Sequence, residues 1–300
     1  MKPVNHTAGG WLKQAAPAKI NLMLSVHGRR EDGFHELTSL VVALDFGDCL
    51  EARISENPED GLTADGVEVP LDRSNLILQA AERYRAAAGC KHSFEFNLKK
   101  RIPVGAGLGG GSSDAVAAIK LMHALSGHTI DHSALLSLAA DLGSDCPFFV
   151  EQAPALMRGR GEVLEPLDDA LAEGLKGQSL LLFRPNFGIE TAWAYEQLAA
   201  RPELYYEAEE RAVDRIDDFR SSGDFKGLLH NVFEQAVGRK YLAIPTLLEG
   251  LRAKGYNCLM SGSGSCCFAL LDGGMNRSEI IEISRKCWGD SIFWVETSIC

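Results

Sequence analysis

Several things are scarce in this sequence, and each scarcity narrows what the chain can do. No apolar run approaches the ~20 residues that span a bilayer, and Met1 to Gln14 has neither an apolar h-region nor a small-residue cleavage site. A soluble, unexported, cytoplasmic protein is expected, without a membrane partner. No Lys/Arg-rich stretch stands out against a formal net charge of −11 and a pI near 5.2. That field repels polyanions, so nucleic acid is not an expected partner. The eight cysteines (Cys49, Cys90, Cys146, Cys258, Cys266, Cys267, Cys287 and Cys300) form no C-x-x-C pair. Their irregular spacing suits neither a protein metal cage nor a disulfide framework, and reduced, mostly buried thiols are expected. There is also no internal repeat and no low-complexity tract.

What is present suits a mixed protein of two domains. With 300 residues and 46% hydrophobic content, the chain sits near the length at which one core divides into two. Ala18 to Val26 alternates Ile20, Leu22, Leu24 and Val26 with polar residues and reads as a strand whose other face carries Lys19 and Asn21. A charged turn follows at Gly28 to Gly33, then apolar stretches at Leu40 to Phe46 and Leu50 to Ile54. Ser74 is placed to cap a helix that runs to about Ala88 and stops at Gly89. Alternation returns from Ser93 to Ile102. Beyond the glycine-rich break at Pro103 to Gly111, Ser112 opens a helix with an apolar stripe at Ala115, Ala118, Ile119, Met122 and Leu125. A further helix is predicted from Ser133 to about Leu142, and Pro147 to Val150 is predicted to start a strand after a turn that holds Asp145. The Gly-, Glu- and Asp-rich stretch Arg158 to Gly177 is the preferred domain boundary, giving 1–165 and 166–300. Glu203 to Asp218 reads as a solvated helical face, and Leu259 to Leu271 as a Ser/Gly turn feeding a strand.

The glycine stretch Pro103, Val104, Gly105, Ala106, Gly107, Leu108, Gly109, Gly110, Gly111, Ser112 and Ser113 puts bare backbone next to a helix start. Several N–H groups can then converge on one anion, and phosphate is the natural occupant. The Ser112 and Ser113 hydroxyls can cap free amides, touch phosphate, or reach a Mg²⁺ ion carried on it. A Walker A site is excluded because no Lys follows these glycines. Gly105, Gly107 and Gly110 match G-x-G-x-x-G, but a second helix follows where a dinucleotide fold returns to a strand. Asp45-Phe46-Gly47 spells D-F-G, yet it precedes the glycines and no H-R-D segment exists, so the protein-kinase match is accidental.

Three stretches then occur together: Pro17-Ala-Lys-Ile-Asn-Leu22 with Gly28-Arg-Arg-Glu-Asp-Gly-Phe-His35, the glycine stretch through Ala115, and Met260-Ser-Gly-Ser-Gly-Ser265. This combination resembles the GHMP kinase superfamily. Together with Leu142-Gly-Ser-Asp-Cys-Pro-Phe-Phe149, it is similar to the branch that phosphorylates a cytidine-diphosphate-linked methylerythritol in non-mevalonate isoprenoid biosynthesis. The likeness covers about Pro17 to Leu271. It implies an α+β, two-domain fold with a ribosomal-protein-S5-like N-terminal domain, a ferredoxin-like C-terminal domain and an active site in the cleft between them. It also implies that ATP with Mg²⁺ is used, that Lys19 and Asp145 are the catalytic pair, that Pro103 to Ser113 holds the ATP phosphates, and that Asn75 lies by the adenine. Asn21, Phe34, His35, Asp145, Thr191 and Tyr195 match positions that hold the cytidine-diphosphate substrate. The branch usually has Tyr where Phe34 stands; Phe keeps the stacking face and loses the hydroxyl.

These residue types suit phosphoryl transfer, in which the protein mainly aligns the reactants and stabilises charge. Asp145 can accept the proton of an attacking hydroxyl, and Lys19 can steady the alkoxide. Lys19, His35, Lys99, Lys100 and Arg101 are candidates for a local positive field on an acidic body, with the last three read as a solvated edge. Other GHMP kinases acting on mevalonate or homoserine, a non-catalytic ligand sensor and an RNA-binding module are the competing readings. A monomer or weak homodimer is expected.

Overall fold

The computed structural model describes residues 5–6, 10–127, 130–271 and 275–300. The chain runs β1 (Asn5–His6), β2 (Leu12–Arg29), β3 (His35–Ile54), β4 (Gly61–Gly66), α1 (Leu76–Ala88), β5 (Phe94–Lys100), α2 (Gly110–Ser126), α3 (His132–Leu142) and α4 (Cys146–Glu151). It continues through β6 (Ala155–Arg158), β7 (Val163–Pro166), α5 (Asp169–Leu175), β8 (Ser179–Arg184), α6 (Thr191–Ala199), α7 (Pro202–Tyr205), α8 (Glu209–Ser222) and α9 (Phe225–Leu228). Last come β9 (His230–Asn231), α10 (Val232–Gly238), α11 (Ala243–Arg252), β10 (Cys258–Met260), β11 (Cys267–Leu270), α12 (Arg277–Trp288) and β12 (Phe293–Ser298). The architecture is the expected α+β mixture. Among the described residues no helix is long and apolar enough to cross a membrane.

The chain forms two compact units. One comprises Met1–Ala18, Phe46–Val104 and Gly109–Gln152; the other comprises Lys19–Asp45, Gly105–Leu108 and Ala153–Cys300. In the first unit, Cys49–Ile54 of β3 pairs antiparallel with Phe94–Lys99, and β4 lies parallel to β5. Phe94, Phe96, Leu98 and Lys100 all point inward on β5, the period of two that a strand imposes. Ten consecutive residues of α2, Ser113 to Met122, are buried, which makes it the central helix of this unit. Lys120, on that helix, donates from Nζ to the carbonyls of Phe149 and Val150 at 2.8 and 2.9 Å. A cation on the last carbonyls of α4 suits that helix end.

In the second unit, Ser39–Val41 of β3 pairs with Ala155–Met157 of β6, and Met23–Leu24 of β2 runs parallel to His230–Asn231. A four-stranded antiparallel sheet follows the order β10-β11-β8-β12. α11 buries Ile244, Leu247, Leu248 and Leu251, an i, i+3, i+4, i+7 stripe.

Several local expectations change. The strand that holds Lys19 is longer than predicted and is buried on both faces from Ala18 to Val26. Leu40 to Phe46 and Leu50 to Ile54 are one strand, β3, with Asp45-Phe46-Gly47 inside it. Asn75, not Ser74, caps α1. α2 starts two residues earlier than Ser112, because Gly109 takes the left-handed conformation and caps it. Pro147 to Val150 is helical rather than a strand: Pro lies in the first turn of α4, where its missing N–H costs nothing. Glu203 to Asp218 is two helices with a break at Tyr206 to Ala208, and Tyr205, Ala212 and Ile216 are buried. Lys100 is not a solvated edge, since strand alternation turns it into the core beside Asp48 and Asp114. Lys99 and Arg101 are exposed. The described cysteines are free, and five of them are buried.

Candidate active site

The glycine stretch is built from left-handed turns that lead into a helix mouth. Gly105, Gly107 and Gly109 have φ of 63°, 74° and 69°. In the first unit, Ser113 N donates to Gly109 O at 2.9 Å, so the amides of Gly110, Gly111 and Ser112 precede the first turn of the helical ladder. Amides at such a mouth, with no Cβ on two of the three residues, suit phosphate oxygens. Ser112 is half-buried and Ser113 buried, and Ser113 Oγ has no hydrogen-bond partner in the structure.

Asp145 stands at the N-cap position of α4 with a helical backbone, φ −82° and ψ −16°, and its side chain makes no cap hydrogen bond. Its half-buried carboxylate is therefore not occupied by the cap role that a turn residue would have. Burial pushes the adjoining Cys146 thiol up to about 12; a hydrogen bond with Ser112 opposes this and the Asp145 charge adds to it. Cys146 is inert by that measure. Asn75 is engaged at both ends: Oδ1 accepts from Ile77 N at 2.9 Å, and Nδ2 donates to Pro70 O at 2.7 Å. Pro103 is buried and Val104 exposed.

In the second unit, four consecutive carbonyls of the glycine stretch are tied down. Gly105 O accepts from Ile189 N at 3.4 Å, Ala106 O from Cys266 N at 3.1 Å and Leu108 O from Lys19 N at 3.0 Å. Gly107 O accepts from Ser261 Oγ at 3.0 Å. The turn at Ser261 to Ser265 thus braces the stretch. It is held in turn by Asn231 Nδ2, which donates to Met260 O at 2.7 Å and Gly262 O at 2.8 Å. Thr191, exposed at the start of α6, shares a 2.9 Å hydrogen bond with Ser263 Oγ. Ala106 and Leu108 are buried.

Lys19 is 4% exposed, and its Nζ donates to Asn21 Oδ1 at 2.8 Å. Asn21 Nδ2 donates to Ser39 Oγ at 2.8 Å, and Ser39 Oγ donates to Met23 O at 2.7 Å. Each polar group in this buried line has its acceptor, as burial requires. His35 stacks on Tyr195, with ring centroids 4.8 Å apart at 29°, and Tyr195 meets Phe233 edge-on. His35 Nε2 lies 3.0 Å from the Tyr206 hydroxyl. Burial, with Arg29 adding to it, holds the His35 imidazole below its usual value. The ring is neutral near pH 7, so it supplies hydrogen bonds there rather than the positive field expected of it. Phe34 is 47% exposed with the Arg160 guanidinium 4.8 Å above its ring.

The structure therefore brings Lys19 to Asn21, His35 to Tyr195, and Thr191 to the Ser turn. It adds Ser39, Arg160 and Tyr206, which no motif marked; the adjacent tyrosines at 205 and 206 were the one hint. Tyr206 lies in the break between α7 and α8, and the chain there is fixed by Glu207, whose carboxylate takes two bonds from Arg215 at 2.8 and 2.9 Å.

Residues 75–153 match the GHMP kinases N terminal domain, and residues 212–289 match the GHMP kinases C terminal domain. The chain is 36% identical over 270 residues to the 4-diphosphocytidyl-2-C-methyl-D-erythritol kinase of Methylacidiphilum infernorum, covering 88% of each chain. It is 38% identical over 270 residues to the enzyme of that name from Synechococcus sp., covering 86% of this chain and 87% of that one. This chain belongs to the GHMP kinase family, in the branch of these relatives. A crystal structure of 4-(cytidine 5'-diphospho)-2C-methyl-D-erythritol kinase superposes with a TM-score of 0.75 at 35% identity, covering 95% of this chain and 99% of that one. A homoserine kinase from Cytophaga hutchinsonii superposes with a TM-score of 0.70 at 19% identity and shares the fold alone. As a GHMP kinase the chain uses ATP to phosphorylate a small molecule. The matched N-terminal region contains Asn75, the glycine stretch and Asp145, while Lys19, Phe34 and His35 precede it and Thr191 and Tyr195 lie between the two matched regions.

Proposed function

We propose that this GHMP kinase transfers the γ-phosphate of ATP to the 2-hydroxyl of 4-diphosphocytidyl-2-C-methyl-D-erythritol, a step of non-mevalonate isoprenoid precursor biosynthesis. The observation that carries the reading is the identity of 36–38% to kinases of that name over nearly nine-tenths of the chain. The buried Lys19–Asn21–Ser39 line and the His35–Tyr195 stack support it. An aromatic face beside a neutral imidazole suits a cytosine ring better than a small aliphatic acid.

In this proposal Asp145 is the general base that takes the proton of the attacking hydroxyl. Lys19, oriented by Asn21, stabilises the alkoxide and the transferring phosphoryl group. The amides of Gly110, Gly111 and Ser112 hold phosphate oxygens, with Pro103 to Leu108 shaping the approach and Asn75 near the adenine. Phe34, His35, Thr191 and Tyr195 hold the cytidine-diphosphate end. A Mg²⁺ ion carried with ATP would supply neutralisation of the phosphate charge. The Ser112 hydroxyl, a hard oxygen donor in the first turn of α2, is the protein group suited to reach it. A division into an ATP-binding domain (1–165) and a C-terminal domain (166–300), a cytoplasmic location, and a monomer or weak homodimer belong to the same proposal.

The test is ADP release measured across one substrate panel. Turnover is expected with the cytidine-diphosphate-linked alcohol and not with mevalonate or homoserine. Equal turnover with either of those would remove the substrate assignment.

A further inference from the structure

We propose that Asp48, Lys100 and Asp114 form a buried clamp that sets the spacing between the two ends of the glycine stretch, and so positions it for ATP. The proposal rests on the ATP reading above. Lys100 ends β5, and its Nζ lies 2.5 Å from Asp48 Oδ2 and 2.6 Å from Asp114 Oδ2. All three side chains are buried, with exposures of 3%, 0% and 5%. The other Asp48 oxygen accepts from Arg101 N at 2.6 Å and Ile102 N at 2.8 Å, the two residues that lead into Pro103. Asp114 sits in α2 just after Ser113. One ammonium therefore joins a carboxylate on the incoming rim of the stretch to a carboxylate on the outgoing rim.

The packing around the clamp supports a positional role. A Cβ at Gly110 would lie 2.9 Å from Lys100 Nζ and 3.0 Å from Ile102 Cγ2. The first turn of α2 thus rests directly on the lysine, and a glycine there is what lets it do so. Asp114 Oδ1 has no hydrogen-bond partner in the structure. Burial, opposed by Lys100 and reinforced by Asp48, pushes the Asp114 carboxyl up to about 7. Two buried carboxylates on one buried ammonium are a poor stability device, because apolar replacements of such groups are often neutral or stabilising. A fixed geometry across a phosphate-holding stretch is a reason to keep them.

Asp114→Ala removes the tether from α2 while leaving the charge-balanced Lys100–Asp48 pair and its two backbone bonds. Asp114→Asn keeps an oxygen acceptor for Lys100. The readouts are the melting temperature and the Kd for a non-hydrolysable ATP analogue, which needs no alcohol substrate. Asp114→Ala is expected to melt no lower than wild type but to bind the analogue roughly tenfold more weakly, the size of one charge-assisted hydrogen bond. Asp114→Asn is expected to recover most of that affinity. Wild-type affinity in a folded Asp114→Ala protein, or weakened binding that only tracks loss of folded protein, would overturn the clamp. A wild-type protein that binds no analogue, or binds it without phosphorylating the alcohol, separates the other cases: the first removes the ATP reading and the clamp with it, and the second removes only the assigned acceptor.

Discussion

Lys19 and Asp145 carry opposite charges and sit in quite different settings. Lys19 is buried in β2, its ammonium aimed by Asn21, which is in turn aimed by Ser39. Asp145 is half-buried at the start of α4 and does not cap it. If Asp145 is the base, Asp145→Asn keeps the shape and removes the proton acceptor. kcat is expected to fall about 10²- to 10⁴-fold, with the melting temperature and ATP affinity little changed. Turnover at the wild-type level would show that Asp145 is not the base. The sequence marks these two residues as candidates because each stands in a short stretch with a recognisable pattern. Tyr206 was not: its hydroxyl meets His35 across 171 positions of sequence, and a run of acidic residues around it reads as surface. Lys100 was misread for a related reason, because three consecutive basic residues suggest solvent while the strand period turns the middle one inward.

At the scale of elements, the glycine stretch works through what its backbone is bonded to. Its carbonyls from Gly105 to Leu108 are all occupied, and Gly107 approaches the Ser turn so closely that a Cβ would lie 2.1 Å from Ser261 O. With φ at 74° as well, Gly107→Ala meets both a steric and a conformational obstacle. The conformational part alone costs about 1–2 kcal/mol. A lower melting temperature and a higher KM for ATP are expected together, and an unchanged KM would show that the carbonyl bracing does not matter to the nucleotide. The existence of this stretch and its helix was legible from residue types. The bracing by Ser261, Cys266 and Ile189 was not, because it is made by one hydroxyl and two backbone N–H groups far along the chain. The change of Pro147 to Val150 from strand to helix shows the limit of reading short apolar runs: four buried residues fit either period, and the proline suits the first turn of a helix.

The whole molecule is acidic, with a formal net charge of −11, and part of its stability depends on carboxylates staying ionised. Burial alone would raise the Glu207 carboxyl, but His230, Arg215 and Ser25 together hold it well below the ordinary glutamate value of 4.5. A depressed folded value means that this contribution is present above the unfolded value and is lost as pH falls towards the folded one. The melting temperature of Glu207→Gln is therefore expected to lie below wild type at neutral pH, with the gap narrowing progressively as pH falls below the ordinary glutamate value of 4.5. A gap independent of pH would contradict the ion-pair account. The fold class was legible through the resemblance of the three motif stretches to the GHMP kinases, and hydrophobic periods marked individual strands and helices, whereas the way strands β2 and β3 each contribute to both compact units has no signature in any local window. The most direct measurement for the molecule as a whole is phosphorus NMR of the product formed from ATP and the cytidine-diphosphate-linked methylerythritol. A new phosphomonoester coupled to the 2-position, with the diphosphate resonances intact, is the expected result. ADP formed without a phosphorylated alcohol, or phosphate carried at another position, would contradict the assignment.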